Sequence, residues 1–149
     1  YKIEGVVGEK CEIDMPIYRY ADVLTLLSEA IVRNGNRVTQ EAVDLLNQVR
    51  VKHGGLRAYK LSDFLSVEDF LDKLLEERGH EFYFEGVRRQ DLIRHGKFIE
   101  KALEKARFAG QPTGKIETMV DGKYKYEKFP LPTHIITEGQ GLIIQNPGY

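Results

Sequence analysis

Residues 77–94 read Glu77-Arg78-Gly79-His80-Glu81-Phe82-Tyr83-Phe84-Glu85-Gly86-Val87-Arg88-Arg89-Gln90-Asp91-Leu92-Ile93-Arg94. On a helix, Glu77, Glu81 and Glu85 fall at i, i+4 and i+8, so their carboxylates share one face. Arg78, Arg88, Arg89 and Arg94 lie close by in sequence, together with Asp91. A glycoside-cleaving pair needs two carboxylates facing each other across a cleft, one of them with its pKa raised by apolar surroundings. Guanidinium neighbours act in the opposite sense and hold carboxylates ionised. The stretch therefore predicts a structural ion-pair network of Arg78, Glu81, Glu85, Arg88, Asp91 and Arg94, with no catalytic residue among them. Gly86 breaks the helix, and a short second helix is predicted over 88–95.

On the N-terminal side, Ser66 with Glu68 and Asp69 resembles a helix cap. Val67, Phe70, Leu71, Leu74 and Leu75 then form an apolar stripe. This helix is predicted to run to about Phe84, with Phe82, Tyr83 and Phe84 continuing its buried side. Further upstream, Thr39 is a plausible N-cap for a helix to Val51 whose Ala42, Leu45, Leu46 and Val49 share a face. Before it, a helix from Ile17 to Arg33 is apolar around most of its circumference. Arg19, Asp22, Glu29 and Arg33 are left as one narrow wet face, and Asn34-Gly35-Asn36 ends it. Pro16 suits its first turn, and Asp14 its positive dipole end. Residues 1–15 alternate loosely and predict a short strand or extended lead-in.

On the C-terminal side, Phe98, Ile99, Leu103 and Ala106 mark a brief amphipathic stretch, and Asp121-Gly122 marks a β-hairpin turn. The Pro- and Gly-rich tail from Phe129 to Tyr149 is predicted to hold no regular element and to wrap over the helices.

Composition narrows the function. The 149 residues carry 22 Lys and Arg against 23 Asp and Glu, a net charge of −1. That balance argues against a surface built to neutralise phosphates, so nucleic acid is not an expected partner. Charged residues interrupt every helical segment well short of the roughly 18 apolar residues that a membrane span needs. A single cysteine, Cys11, excludes an internal disulfide and is read as structural, because it lacks the apolar run and small residue that precede a lipid-modified cysteine. His80-Glu81 lacks the second histidine of a zinc helix, with Phe at 84, and Gly139-Gln140-Gly141 lacks the third glycine of a dinucleotide loop. No cofactor or metal is expected.

Sugar rings stack on aromatic side chains. Tyr124 and Tyr126, at i and i+2 on an expected strand, and Tyr59 in a loop are the candidate ligand-binding residues, although core packing is the commoner role for such rings.

The order of motifs carries a resemblance. Asp14-Met15-Pro16-Ile17-Tyr18-Arg19-Tyr20-Ala21-Asp22-Val23-Leu24, then Ala42 to Arg50 with its Asn47-Gln48-Val49-Arg50 ending, then residues 77–94, then Phe129-Pro130-Leu131-Pro132 and Gln145-Asn146-Pro147-Gly148-Tyr149, together resemble the SusD/RagB family. Departures fall at Ser28, where Ala is usual, at Arg89, where an aromatic is common, and at Gly139-Gln140-Gly141, where an Asn-Pro pair often stands. The resemblance implies a mainly α fold, an α-α superhelix of tetratricopeptide-like helix hairpins with irregular loops and a short β-hairpin. It implies that residues 1–149 form one C-terminal region of a several-fold longer protein. It further implies a non-catalytic protein at the extracellular face of an outer membrane, held by a lipid anchor outside this chain. There it would bind oligosaccharides and deliver them to a SusC-like TonB-dependent transporter. The alternative is a tetratricopeptide-like protein-interaction scaffold.

Overall fold

A computed structural model describes residues 6–7, 10–11 and 17–149. The fold is mainly α, with six α-helices among the described residues and two short antiparallel β-hairpins. The chain divides into two compact units, residues 1–81 and 82–149.

The first unit begins with β1 (Val6–Val7) paired to β2 (Lys10–Cys11), which places a minimal hairpin within the expected extended lead-in. The expectations for Asp14, Pro16 and the Cys11 side chain lie outside the described residues. Helix α1 spans Tyr20–Gly35, and Asn36 closes it in the left-handed conformation that a helix C-terminus favours. It starts three residues later than predicted, because Arg19 is extended and caps the helix through its backbone. Helix α2 (Gln40–Lys52) starts as expected, with the Thr39 hydroxyl accepting from the Ala42 N–H at 3.2 Å. A short turn between α1 and α2 makes them a helix hairpin.

Helix α3 (Val67–Glu81) has reciprocal capping. The Asp69 N–H donates to Ser66 Oγ at 3.1 Å, and Asp69 Oδ2 accepts from the Leu65 N–H at 2.9 Å. Bonds from Lys73 and the Leu65 N–H hold the Asp69 carboxyl below its ordinary pKa. The three helices enclose Val32, Ala42, Val43, Leu46, Phe70, Leu71 and Leu74, with Phe64 and Tyr59 packed against them. Each fully buried Leu or Phe contributes about 1.5–3 kcal/mol, so this cluster is the main source of the unit's stability.

Of the wet face expected of α1, Arg33 is exposed and Arg19 half-buried, but Asp22 and Glu29 turn inward. Asp22 and Glu29 are buried at 7% and 2% exposure, whereas Tyr20, Val23 and Leu27 are exposed at 72%, 56% and 47%. Pairing is the cause, as α3 supplies Arg78 for Asp22 and α1 itself supplies Arg33 for Glu29.

In the second unit, α4 (Arg88–Arg94) and α5 (Phe98–Phe108) pack together, near the expected positions. The hairpin of β3 (Met119–Val120) and β4 (Lys123–Tyr124) turns at Asp121 and Gly122, with φ of 51° and 73°. Positive φ at both central residues is the twist-matched turn that Asp-Gly favours. Helix α3 ends at Glu81, short of the predicted Phe84. Phe82 is buried at 4%, but Tyr83 and Phe84 are exposed at 75% and 92%, which overturns their core assignment. Phe84 takes a φ of 67°, a left-handed conformation in the turn that follows the helix. The tail also departs from expectation, because Thr133–Glu138 forms a helix, α6, between Pro132 and Gly139.

Two substitutions separate packing from hydrogen bonding in the first unit. Leu46, fully buried, is expected to cost about 2–5 kcal/mol on change to Ala. Ser28 donates its hydroxyl to the Ala42 carbonyl at 2.7 Å, and Ser28→Ala should cost only about 0.5–1.5 kcal/mol. Urea denaturation of the two variants checks this ranking.

Candidate functional site

The 77–94 stretch straddles the two units, and its first residues are tied to α1 and α2. Arg78 is 3% exposed; its Nη1 donates to Thr25 Oγ1 at 2.6 Å and lies 2.8 Å from Asp22 Oδ1. The Thr25 hydroxyl in turn donates to the Ala21 carbonyl at 2.9 Å. Asp22 and Thr25 lie one helical turn apart, so both meet the guanidinium.

Glu81 is a second node. Arg19 Nη1 donates to Glu81 Oε1 at 2.7 Å and Nη2 to the Glu81 carbonyl at 2.9 Å, while His53 Nδ1 lies 2.8 Å from the same Oε1. Arg50 forms a third node by pairing with Glu77, donating Nε–H to the Arg57 carbonyl at 2.7 Å and covering the Tyr59 ring at 4.0 Å. In the second unit, Arg94 Nη2 donates to Asp91 Oδ1 at 3.0 Å within α4, and Asp91 is buried. Glu85 and Arg88 are half-buried. Arg19, Asp22, Thr25 and Arg50 were missed as partners, because their separation in sequence gives no local signal of contact.

Tyr59 is committed to the core of the first unit. Its ring packs on Phe64 at 5.2 Å, its hydroxyl donates to Glu77 Oε1 at 3.2 Å, and its backbone N–H and C=O both bond the Asn47 side-chain amide. Burial, and then the Glu77 carboxylate, push its hydroxyl above the ordinary tyrosine pKa.

Tyr124 and Tyr126 do not share a strand face. β4 ends at Tyr124, and Tyr126 lies in the 3-10 turn Lys125–Glu127. Tyr124 lines an open groove of about 570 Å³, whose other walls come from Val120, Pro147 and the charged residues Asp121, Lys123, Lys125, Glu127 and Lys128. Tyr126 meets Tyr149 edge-on at 6.5 Å, and Lys125 Nζ sits 4.3 Å from the Tyr149 ring centre. Gly148, next to the groove's Pro147, sits at φ 90°, where a Cβ would come within 2.8 Å of Val120 Cγ2. Only glycine lets the C-terminal turn approach the hairpin so closely.

Arg89 secures this region. Its guanidinium lies 4.2 Å from the Phe129 ring and 5.1 Å from Phe98, and Nη2 donates to the Glu127 carbonyl at 2.9 Å. Gln145 bonds both the N–H and the C=O of Leu131, and Asn146 Nδ2 donates to the Phe129 carbonyl at 2.7 Å. The residues quoted as terminal motifs thus stitch the tail to itself and to α4. No group of three or more His, Cys, Asp or Glu side chains among the described residues is placed to hold a metal ion.

Arg78→Ala leaves Asp22 buried opposite no cation and should cost about 3–5 kcal/mol in denaturant unfolding; Asp22→Leu with Arg78→Met should recover most of that loss. Arg89→Ala should speed amide exchange over residues 126–131 by about tenfold, as the tail loses its carbonyl donor and its aromatic contacts.

Residues 4–149 match the family model described as the SusD family. The chain is 30% identical over 138 residues to the starch-binding protein SusD of Bacteroides thetaiotaomicron, an alignment covering 93% of this chain and 22% of that protein. The crystal structure of a SusD homologue from the same organism is similar with a TM-score of 0.70 at 31% identity, covering 88% of this chain and 26% of that one. The chain spans about a quarter of the length of these relatives. With the family model matched over residues 4–149 and the motifs and fold in accord with it, the chain belongs to the SusD family.

Proposed function

We propose that this chain is part of a non-catalytic, oligosaccharide-binding protein at the outer cell surface, which delivers its ligand to a SusC-like TonB-dependent transporter. The observation that carries the reading is the match of residues 4–149 to the SusD family, supported by likeness to a protein named for starch binding. The lipid anchor and the transporter contact belong to the same proposal and follow from the family alone.

The geometry supports binding over hydrolysis. Of Glu77, Glu81 and Glu85, from which an acid/base pair would have to be drawn, Glu77 and Glu81 are each paired to an arginine, Arg50 and Arg19. Carboxylates engaged in this way tie α3 to Arg50 of α2 and to Arg19 at the start of α1, whereas a hydrolytic pair must face a scissile bond across an accessible cleft. The alternative, a helical scaffold for a protein partner, is favoured by the exposed apolar stripe of Tyr20, Val23 and Leu27 on α1.

Calorimetric titration of the intact protein with a panel of neutral oligosaccharides, followed by product analysis of the same samples, tests the reading. Saturable binding with the sugars recovered uncut is expected. Shortened products would overturn the non-catalytic assignment, and no binding across the panel would favour the scaffold.

A further inference from the structure

The groove beside Tyr124 differs from the ion-paired 77–94 stretch in the state of its charges. Lys123, Lys125 and Lys128 line it with Asp121 and Glu127, and none of the five side chains is in an ion pair among the described residues. Lys123 and Lys128 are exposed, and neither ammonium meets an acceptor there. Lys125 is held instead by aromatic faces, those of Tyr149 at 4.3 Å and Tyr126 at 5.5 Å. Three ammoniums against two carboxylates leave this concavity with one excess positive charge, in a chain whose formal net charge is −1.

The uncharged part of the lining is the complement of a sugar. Tyr124, Val120 and Pro147 offer an apolar wall for the C–H face of a pyranose, while Asp121 and Glu127 can accept from its hydroxyls. A neutral sugar would offer the ammoniums only hydroxyl oxygens. A carboxylate on the ring would give them charge-assisted bonds, roughly twice as strong as neutral ones.

We propose that this groove is a subsite for acidic oligosaccharides bearing uronate carboxylates. Lys123 and Lys128 bind the anion, Tyr124 carries the ring, and Asp121 and Glu127 take hydroxyls. The proposal rests on the glycan-binding reading above and narrows it to a ligand class.

The test is titration of the intact protein with trigalacturonate and, in parallel, with neutral oligosaccharides, at low and at high salt. Trigalacturonate should bind more tightly than any neutral trisaccharide, and its affinity should fall as salt rises because exposed charges are screened. The double variant Lys123→Gln with Lys128→Gln, which changes only exposed side chains, should weaken trigalacturonate about tenfold and leave neutral sugars unaffected. Trigalacturonate binding no tighter than neutral sugars, or binding undiminished in the double variant, overturns the subsite and leaves general glycan binding standing. Failure to bind any saccharide, neutral or acidic, overturns both.

Discussion

A guanidinium taken out of water must be compensated in place, and Arg78 meets that demand with groups from another helix. Its contacts with Asp22 and Thr25 of α1 fix which turn of α3 lies against which turn of α1. Hydrophobic burial supplies most of the stabilising free energy but is tolerant of sliding, since one leucine can replace another along a stripe. The buried ion contact is not tolerant in this way, because a shift of one turn would leave Asp22 and Arg78 buried apart. Arg19 with Glu81 and Arg50 with Glu77 repeat the logic at the C-terminal end of α3. Three arginines from outside or within the 77–94 stretch thus set the register that the apolar core then fills.

That dependence explains which parts of the first unit could be read from the sequence. Helix α2 was legible because its start and its buried face are local properties, carried by the Thr39 cap and the spacing of Ala42, Leu46 and Val49. The orientation of α1 was not. Hydropathy assigns Asp22 and Glu29 to water, and only partners elsewhere make their burial possible, Arg78 for Asp22 across 56 positions of sequence and, more locally, Arg33 for Glu29. The end of α3 was misplaced for a related reason. Phe82, Tyr83 and Phe84 look alike to a hydropathy pattern, yet the chain turns at Phe84 with a positive φ and only Phe82 stays buried.

In the second unit the legible features were those with strong local chemistry. Asp121-Gly122 forms the turn its residues favour, and the helices around Leu92 and Leu103 lie near their expected places. Helix α6 was hidden because Thr133, Ile135, Ile136 and Thr137 are β-branched and weak helix formers flanked by Pro and Gly. Its neighbours are held by side chains acting on backbone: Gln145 pairs with Leu131 as a strand would, and Asn146 and Arg89 take carbonyls of the same segment. Arg89, a departure from the family pattern, therefore serves the tail rather than the ion-pair network predicted for its neighbours.

The same accounting separates residues able to meet a ligand from those that are not. Tyr59 has its ring covered by Arg50, its hydroxyl bound to Glu77 and its backbone bound to Asn47, so freeing it for a sugar would first dismantle part of the core. Arg78 and Glu81 are similarly engaged, and a ligand competing for either would have to replace a partner already in place. Tyr124 stands among groups whose charges meet no counter-charge among the described residues, so a ligand there would gain contacts without breaking an ion pair. Of the three tyrosines singled out in the sequence, local chemistry could not rank them, because the difference between them lies in what the fold has already spent on their neighbours.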